Sequence, residues 1–171
     1  MQDTIALRVL PRDNDSPRNI VNFHFKHQQL AGKVYYSTGI LCDARRLKEL
    51  KKIILFFGSG KNRKFVIADI LKILKFDKKS SQPGSCIPSD SAIWSVKKYA
   101  NIDENTWFLI ESLRILSPEE VNTFQVVYYE NESVTIKKLE EVIEASTRIN
   151  RVYCSQIDNK KEKLEEQFLL V

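Results

Sequence analysis

Two aromatic rings and two lysines share one short segment, Ala92-Ile93-Trp94-Ser95-Val96-Lys97-Lys98-Tyr99. Large rings among basic residues suit stacking on a nucleobase, with ammonium groups at hand for phosphate. The competing role is plain packing, because an aromatic under a long loop often anchors it. A second aromatic pair, Tyr35-Tyr36, enters the turn Ser37-Thr38-Gly39. Gly58-Ser59-Gly60-Lys61 follows an apolar run and suggests a phosphate loop. That loop, however, needs GxxxxGK, then Ser or Thr, then a helix. Here Asn62 follows the lysine and strand-like residues come next. The stretch therefore reads as a hairpin turn, with Lys61, Arg63 and Lys64 as candidate phosphate contacts. His24 and His27 are the only histidines. On a strand they face opposite ways and cannot share a metal. Asp69 and Glu111 are single carboxylates, short of the converging set a metal nuclease needs. No GxSxG, HExxH or Cys/His nucleophile pattern is present. No catalytic residue, metal or cofactor is expected.

The 171 residues carry 27 Lys and Arg against 22 Asp and Glu, a net charge of +5. This balance fits an anionic partner without requiring one. The length suits one domain with its own core. Cys42, Cys86 and Cys154 form neither a disulfide framework nor a CxxC site, which points to a reducing, cytoplasmic setting. Residues 5–10 are too short and too charged for a signal peptide, and no apolar run is long enough to span a membrane.

The elements that must position these residues follow from pattern. Residues 5–10 suit an opening strand, residues 11–19 a loop, and residues 20–25 a second strand, since Val21, Phe23 and Phe25 alternate with polar neighbours. Asp43 caps a short helix through Leu50. Residues 53–57 are a continuous apolar run, expected as a central strand, and residues 65–74 return as its hairpin partner. Residues 76–91 form a long loop, and residues 106–110 and 125–129 are further strands. Ser117-Pro118-Glu119-Glu120 is a capping box. Residues 135–150 place Ile136, Leu139, Val142, Ile143 and Ile149 at helical spacing and predict a helix. Residues 160–166 are charged and predict another helix. The fold class is α+β, a small curved β-barrel flanked by helices, spanning residues 1–155. Residues 156–171 form a charged helix or linker.

In this order the motifs resemble the YTH domain and its EVE relatives within the PUA-like superfold. The carriers are Trp94-Ser95-Val96-Lys97-Lys98-Tyr99 followed by Trp107-Phe108-Leu109-Ile110, the hairpin from Ile53 to Ile70, and Tyr35-Tyr36-Ser37-Thr38 ahead of a short helix. Two of the three cage tryptophans of that family are tyrosines here. The resemblance implies a module that reads a methylated base, 6-methyladenine favoured, flipped into a cage of Tyr35, Trp94 and Tyr99. Tyr36, Ser37, Thr38 and Ser95 would contact the base edge. Arg45, Arg46, Lys61, Arg63, Lys64, Lys97 and Lys98 would contact phosphates. The implied partner is methylated DNA in preference to RNA, in a modification-dependent restriction system of the McrB type with a motor or nuclease domain or subunit. The alternatives are a protein-interaction module, a methylated-RNA reader or a small RNA-processing enzyme. On the cage reading, Trp94→Ala removes preference for the modified base and leaves salt-sensitive binding, measured by oligonucleotide titration.

Overall fold

Ile53-Ile54-Leu55-Phe56 is apolar at every position, and all four residues are completely buried. A strand alternates its side chains between two faces, so such a run needs a cover on each. The computed structural model describes residues 2–157 and supplies both covers. Its elements are β1 (Thr4–Arg8), α1 (Pro17–Ala31), β2 (Val34–Thr38), α2 (Ala44–Leu47), β3 (Lys52–Phe57), β4 (Lys64–Lys75), α3 (Ser91–Trp94), β5 (Thr106–Ile115), α4 (Pro118–Val121), β6 (Phe124–Glu130), β7 (Ser133–Lys138), α5 (Leu139–Glu144) and β8 (Arg151–Gln156). The fold is α+β. Its eight strands form one mixed sheet in the order β2-β5-β4-β3-β1-β8-β6-β7, with β1 parallel to β3 and antiparallel to β8.

One face carries Ile5, Leu7, Ile53, Leu55, Tyr36 and Phe108, packed under Ile20 and Val21 of α1 and Leu47 of α2. The other carries Ala6, Ile54, Phe56, Phe65 and Ile67 against Phe124 of β6, Val121 of α4, and Leu139, Val142 and Ile143 of α5. Each such aliphatic side chain contributes about 1.5–3 kcal/mol by burial. A third, smaller cluster joins Tyr35, Trp107 and Leu109 beneath the long loop that precedes α3.

The sheet curls but does not close into the expected barrel. Register shifts between β4 and β5, at Ile67/Asp69 and Ile70/Lys72, bend this long pair, as bulges do. The far side of the curl is bridged by side chains in place of a strand ladder. The Asp43 N–H donates to the Tyr153 hydroxyl at 3.2 Å, and the Arg151 guanidinium donates to the Leu41 carbonyl.

Several expected elements hold. Asp43 caps α2 through the Arg45 N–H, and the capping box of Ser117 and Glu120 is present in both directions. The glycine-rich stretch is a turn between antiparallel β3 and β4, with a 3-10 segment at Gly60–Asn62. Gly58 there has φ +82°, and a Cβ would meet the Asn62 carbonyl at 2.7 Å.

Two expectations are corrected. Residues 20–25 are helical: Ser16 accepts from the Asn19 N–H, Pro17 begins α1, and Gly32 ends it at φ +89°. The alternation of Val21, Phe23 and Phe25 misled, because the inward stripe is Ile20, Val21 and His24 at helical spacing. Residues 135–150 are not one helix. β-Branched Val134, Thr135 and Ile136 extend as β7, and only Leu139–Glu144 is helical. The predicted helix at residues 160–166, like residues 158–171 generally, lies outside the described residues. No helix among the described residues is long and apolar enough to cross a membrane. All three cysteines are free and buried.

His24 sits in the core, 1% exposed, with Nδ1 2.6 Å from the Ile20 carbonyl oxygen. A carbonyl only accepts, so Nδ1 carries the hydrogen of a neutral ring. Burial, opposed in part by that hydrogen bond, pushes its pKa down to about 4. The ordinary value is 6.5, so between those pH values the unfolded chain takes up a proton that the folded chain refuses. Stability therefore falls as pH drops from about 6.5 to 4, by about 3 kcal/mol in full. Urea denaturation across this range should show that decline, and His24→Gln should flatten it.

Candidate functional site

At the end of β1 the chain reverses through Asp13 and Asn14, at φ +46° and +67°. Arg12 and Asp15 close this turn with two backbone hydrogen bonds of 3.2 and 2.6 Å. Asp and Asn tolerate positive φ, and two such residues in a row make the tight hairpin turn. The turn aims Arg12 at the end of β2. Its Nη1 donates to the Ser37 carbonyl at 3.2 Å and to Ser37 Oγ at 3.1 Å. Its guanidinium carbon lies 4.5 Å from the Tyr99 ring centroid. Its Nη2 lies 3.5 Å from Glu104 Oε1.

Glu104 is only 9% exposed. Its Oε2 and Arg12 Nη2 are buried without a hydrogen-bond partner. Both residues line a cavity of about 210 Å³, walled by Leu10, Pro11, Tyr36, Ser37, Thr38 and Gly39. Arg8 and Lys78 also line it. Gly39 lets the carboxylate approach, since a Cβ there would stand 3.1 Å from Oε2. A shallower groove of about 610 Å³ shares Leu10 and Gly39 and adds Leu41, Arg148 and Arg151.

A donor beside an acceptor, each without a hydrogen-bond partner, has a definite chemistry. Every nucleobase carries an acceptor next to an N–H donor on its pairing edge, and that edge is free only when the base is unpaired. A carboxylate in the pocket repels phosphate, so an anion belongs outside it, near the arginines. The volume falls below the usual range for drug-sized ligands and suits one planar ring system.

The aromatic residues singled out by sequence do not enclose one space. Tyr35 is 1% exposed, meets Trp107 edge-on at 5.9 Å, and donates its hydroxyl to Asp90 at 2.8 Å. Burial raises its pKa. Trp94 packs against that same cluster, with Lys33 Nζ 4.3 Å above its ring. Tyr99 is 2% exposed and belongs to the main core, where it stacks near His24 and donates to Asp15 at 2.7 Å. The proposed three-walled cage is therefore corrected. Tyr35 and Tyr36 are adjacent on a strand and face opposite ways, so Tyr35 cannot join Tyr99. The loop over Tyr35 is held by Trp107 Nε1, which donates to the Cys86 carbonyl, and by Asp103, which accepts from the Gly84 and Cys86 N–H groups.

Of the base-edge candidates, Tyr36, Ser37 and Thr38 do line the cavity, while Ser95 is buried against Ser91 at 2.8 Å. The phosphate candidates scatter. Arg63 is largely buried and pairs with Glu144 at 3.4 Å. Lys98 pairs with Asp15 at 2.6 Å, and this bond, then that of Tyr99, holds the Asp15 carboxyl below its usual range. Arg46 stacks on Tyr153 at 4.3 Å. Arg45, Lys61, Lys64 and Lys97 are exposed and do not line the cavity. His24 and His27 lie on one helix, not a strand, and their rings are engaged separately, His27 with the Ile93 carbonyl. Among the described residues no group of His, Cys, Asp and Glu could hold a metal.

Arg12 and Glu104 were missed by sequence reasoning. The available signal was the Asp13-Asn14 turn, which promises a fixed side chain beside it. No family model, curated protein or solved structure matches this chain.

The pair makes a stability prediction. Arg12→Met strands a buried carboxylate and removes the Nη1 donor shared by the Ser37 carbonyl and Oγ, at a cost of about 3–5 kcal/mol. Arg12→Met with Glu104→Leu should recover most of that loss. Denaturant titration of the two single variants and the double variant measures the coupling.

Proposed function

We propose that this chain is a nucleic-acid-binding module that accepts one unpaired base in the Arg12–Glu104 cavity. The observation that carries this reading is the Arg12–Glu104 ion pair in the wall of a space of base size, with Nη2 and Oε2 buried and lacking a hydrogen-bond partner. The base presents its N–H to Glu104 and its acceptor to Arg12, while Leu10 and Pro11 offer apolar walls. A methylated amino group keeps one N–H, so 6-methyladenine satisfies the same pair and adds a methyl to bury. Arg8, Lys78, Arg148 and Arg151 then serve the phosphates, in place of the scattered lysines. Methylated DNA, handled by a motor or nuclease partner, is the context the family resemblance suggests for such a module.

The test is a titration with single-stranded and duplex oligonucleotides, methylated and unmethylated, at two salt concentrations. Single strands should bind more tightly, and each lost phosphate contact should lower the salt slope by about 0.7. Glu104→Gln, which turns an acceptor-only group into one that also donates, should weaken binding about 10-fold or more. Trp94→Ala should leave affinity nearly unchanged. A larger loss in Trp94→Ala than in Glu104→Gln would return the site to the aromatic loop. Binding that ignores salt and strandedness would favour a protein partner.

A further inference from the structure

Strand β7 ends the sheet. Among the described residues its ladder partner is β6, on one side only. All its residues are exposed. Helix α5 covers one face of the β6–β7 hairpin by packing Leu139, Val142 and Ile143 with Val126 and Tyr128. On the other face Tyr129 pairs with Val134 and Val127 with Ile136. Tyr129, Val134 and Ile136 there are 75%, 58% and 59% exposed. An unpaired edge with an apolar stripe is a template for another strand, and proteins that do not use one usually blunt it.

The residues of this edge complement themselves in one register. Two copies paired antiparallel about a two-fold axis set side chains of the same face opposite one another. With Thr135 on the axis, Val134 meets Ile136 of the second copy, and Glu132, in the turn just before β7, comes beside Lys138. Centring on Val134 would bring the turn residue Glu132 beside Ile136, and centring on Ile136 would set Val134 against Lys138. Both put a charge on an aliphatic. The Thr135 register alone matches apolar to apolar and acid to base, twice over by symmetry.

We infer that the chain associates with a second copy of itself through β7, antiparallel and centred on Thr135. The two sheets then run on as one, and the apolar stripe is continued from copy to copy. This surface is separate from the Arg12–Glu104 cavity and does not depend on it.

Disulfide trapping tests the register, because the three native cysteines are buried. Thr135→Cys should form a covalent dimer under mild oxidation, since the residue meets its own copy. Ser133→Cys, which meets Lys137, should not. Sedimentation of the unmodified chain should show a reversible dimer. Lys138→Glu should weaken self-association roughly tenfold or more, and adding Glu132→Lys should restore it. A monomer throughout the micromolar range would overturn the proposal. So would equal trapping at the two cysteine positions, or failure of the charge swap to restore the dimer.

Discussion

A strand that is apolar on both sides cannot be left with one face in water. β3 imposes that condition, and neighbouring β1 shares it through Ile5, Ala6 and Leu7, all fully buried. The architecture around them answers it. Helices α1 and α2 close one face; β6, α4 and α5 close the other. The sheet must also curl to wrap so small a core, and the register shifts in the β4–β5 pair let it do so. That curl brings the segment after β2 close to β8, and the cavity and the groove open beside it. The cavity and the groove are thus by-products of how a two-sided sheet is covered.

The Arg12–Glu104 pair runs against the economy of the core. Ion pairs taken out of water rarely add net stability, and unpartnered polar atoms add cost. Among the described residues the other buried side-chain atoms without a hydrogen-bond partner are Arg63 Nε and Thr106 Oγ1, and neither residue lines the cavity. Tyr35, Tyr99 and Trp107 each donate to a named acceptor. Two such atoms side by side at a cavity wall are the observation on which the proposed base site rests.

The sequence made the central strands legible because two-faced burial leaves an unbroken apolar run, and made the caps legible because Asp43 and Ser117 act within three residues of themselves. Residues 20–25 misled for a different reason. A helix with aromatics on several sides, Phe23 and Phe25 among them, imitates alternation, and the decisive Ser16-Pro17 signal lies outside that window. In residues 135–150 the apolar spacing carries across the junction of β7 and α5, two elements that share a core but not a period. The site divided in the same way. Tyr36, Ser37 and Thr38 reach the cavity because they sit where β2 meets a turn. Arg12 and Glu104 are distant in sequence, and only the curl of the sheet joins them.

The hairpin turn at Asp13 and Asn14 has a consequence for how a ligand would be met. Arg12 is braced by a closed turn, by Ser37 and by the face of Tyr99, so its many rotamers are already reduced to one. Freezing a long side chain on association costs about 0.5–1.5 kcal/mol. Here that entropy is lost during folding. A visitor to the cavity would meet Arg12 already set in place, with no rotamer of that side chain left to freeze.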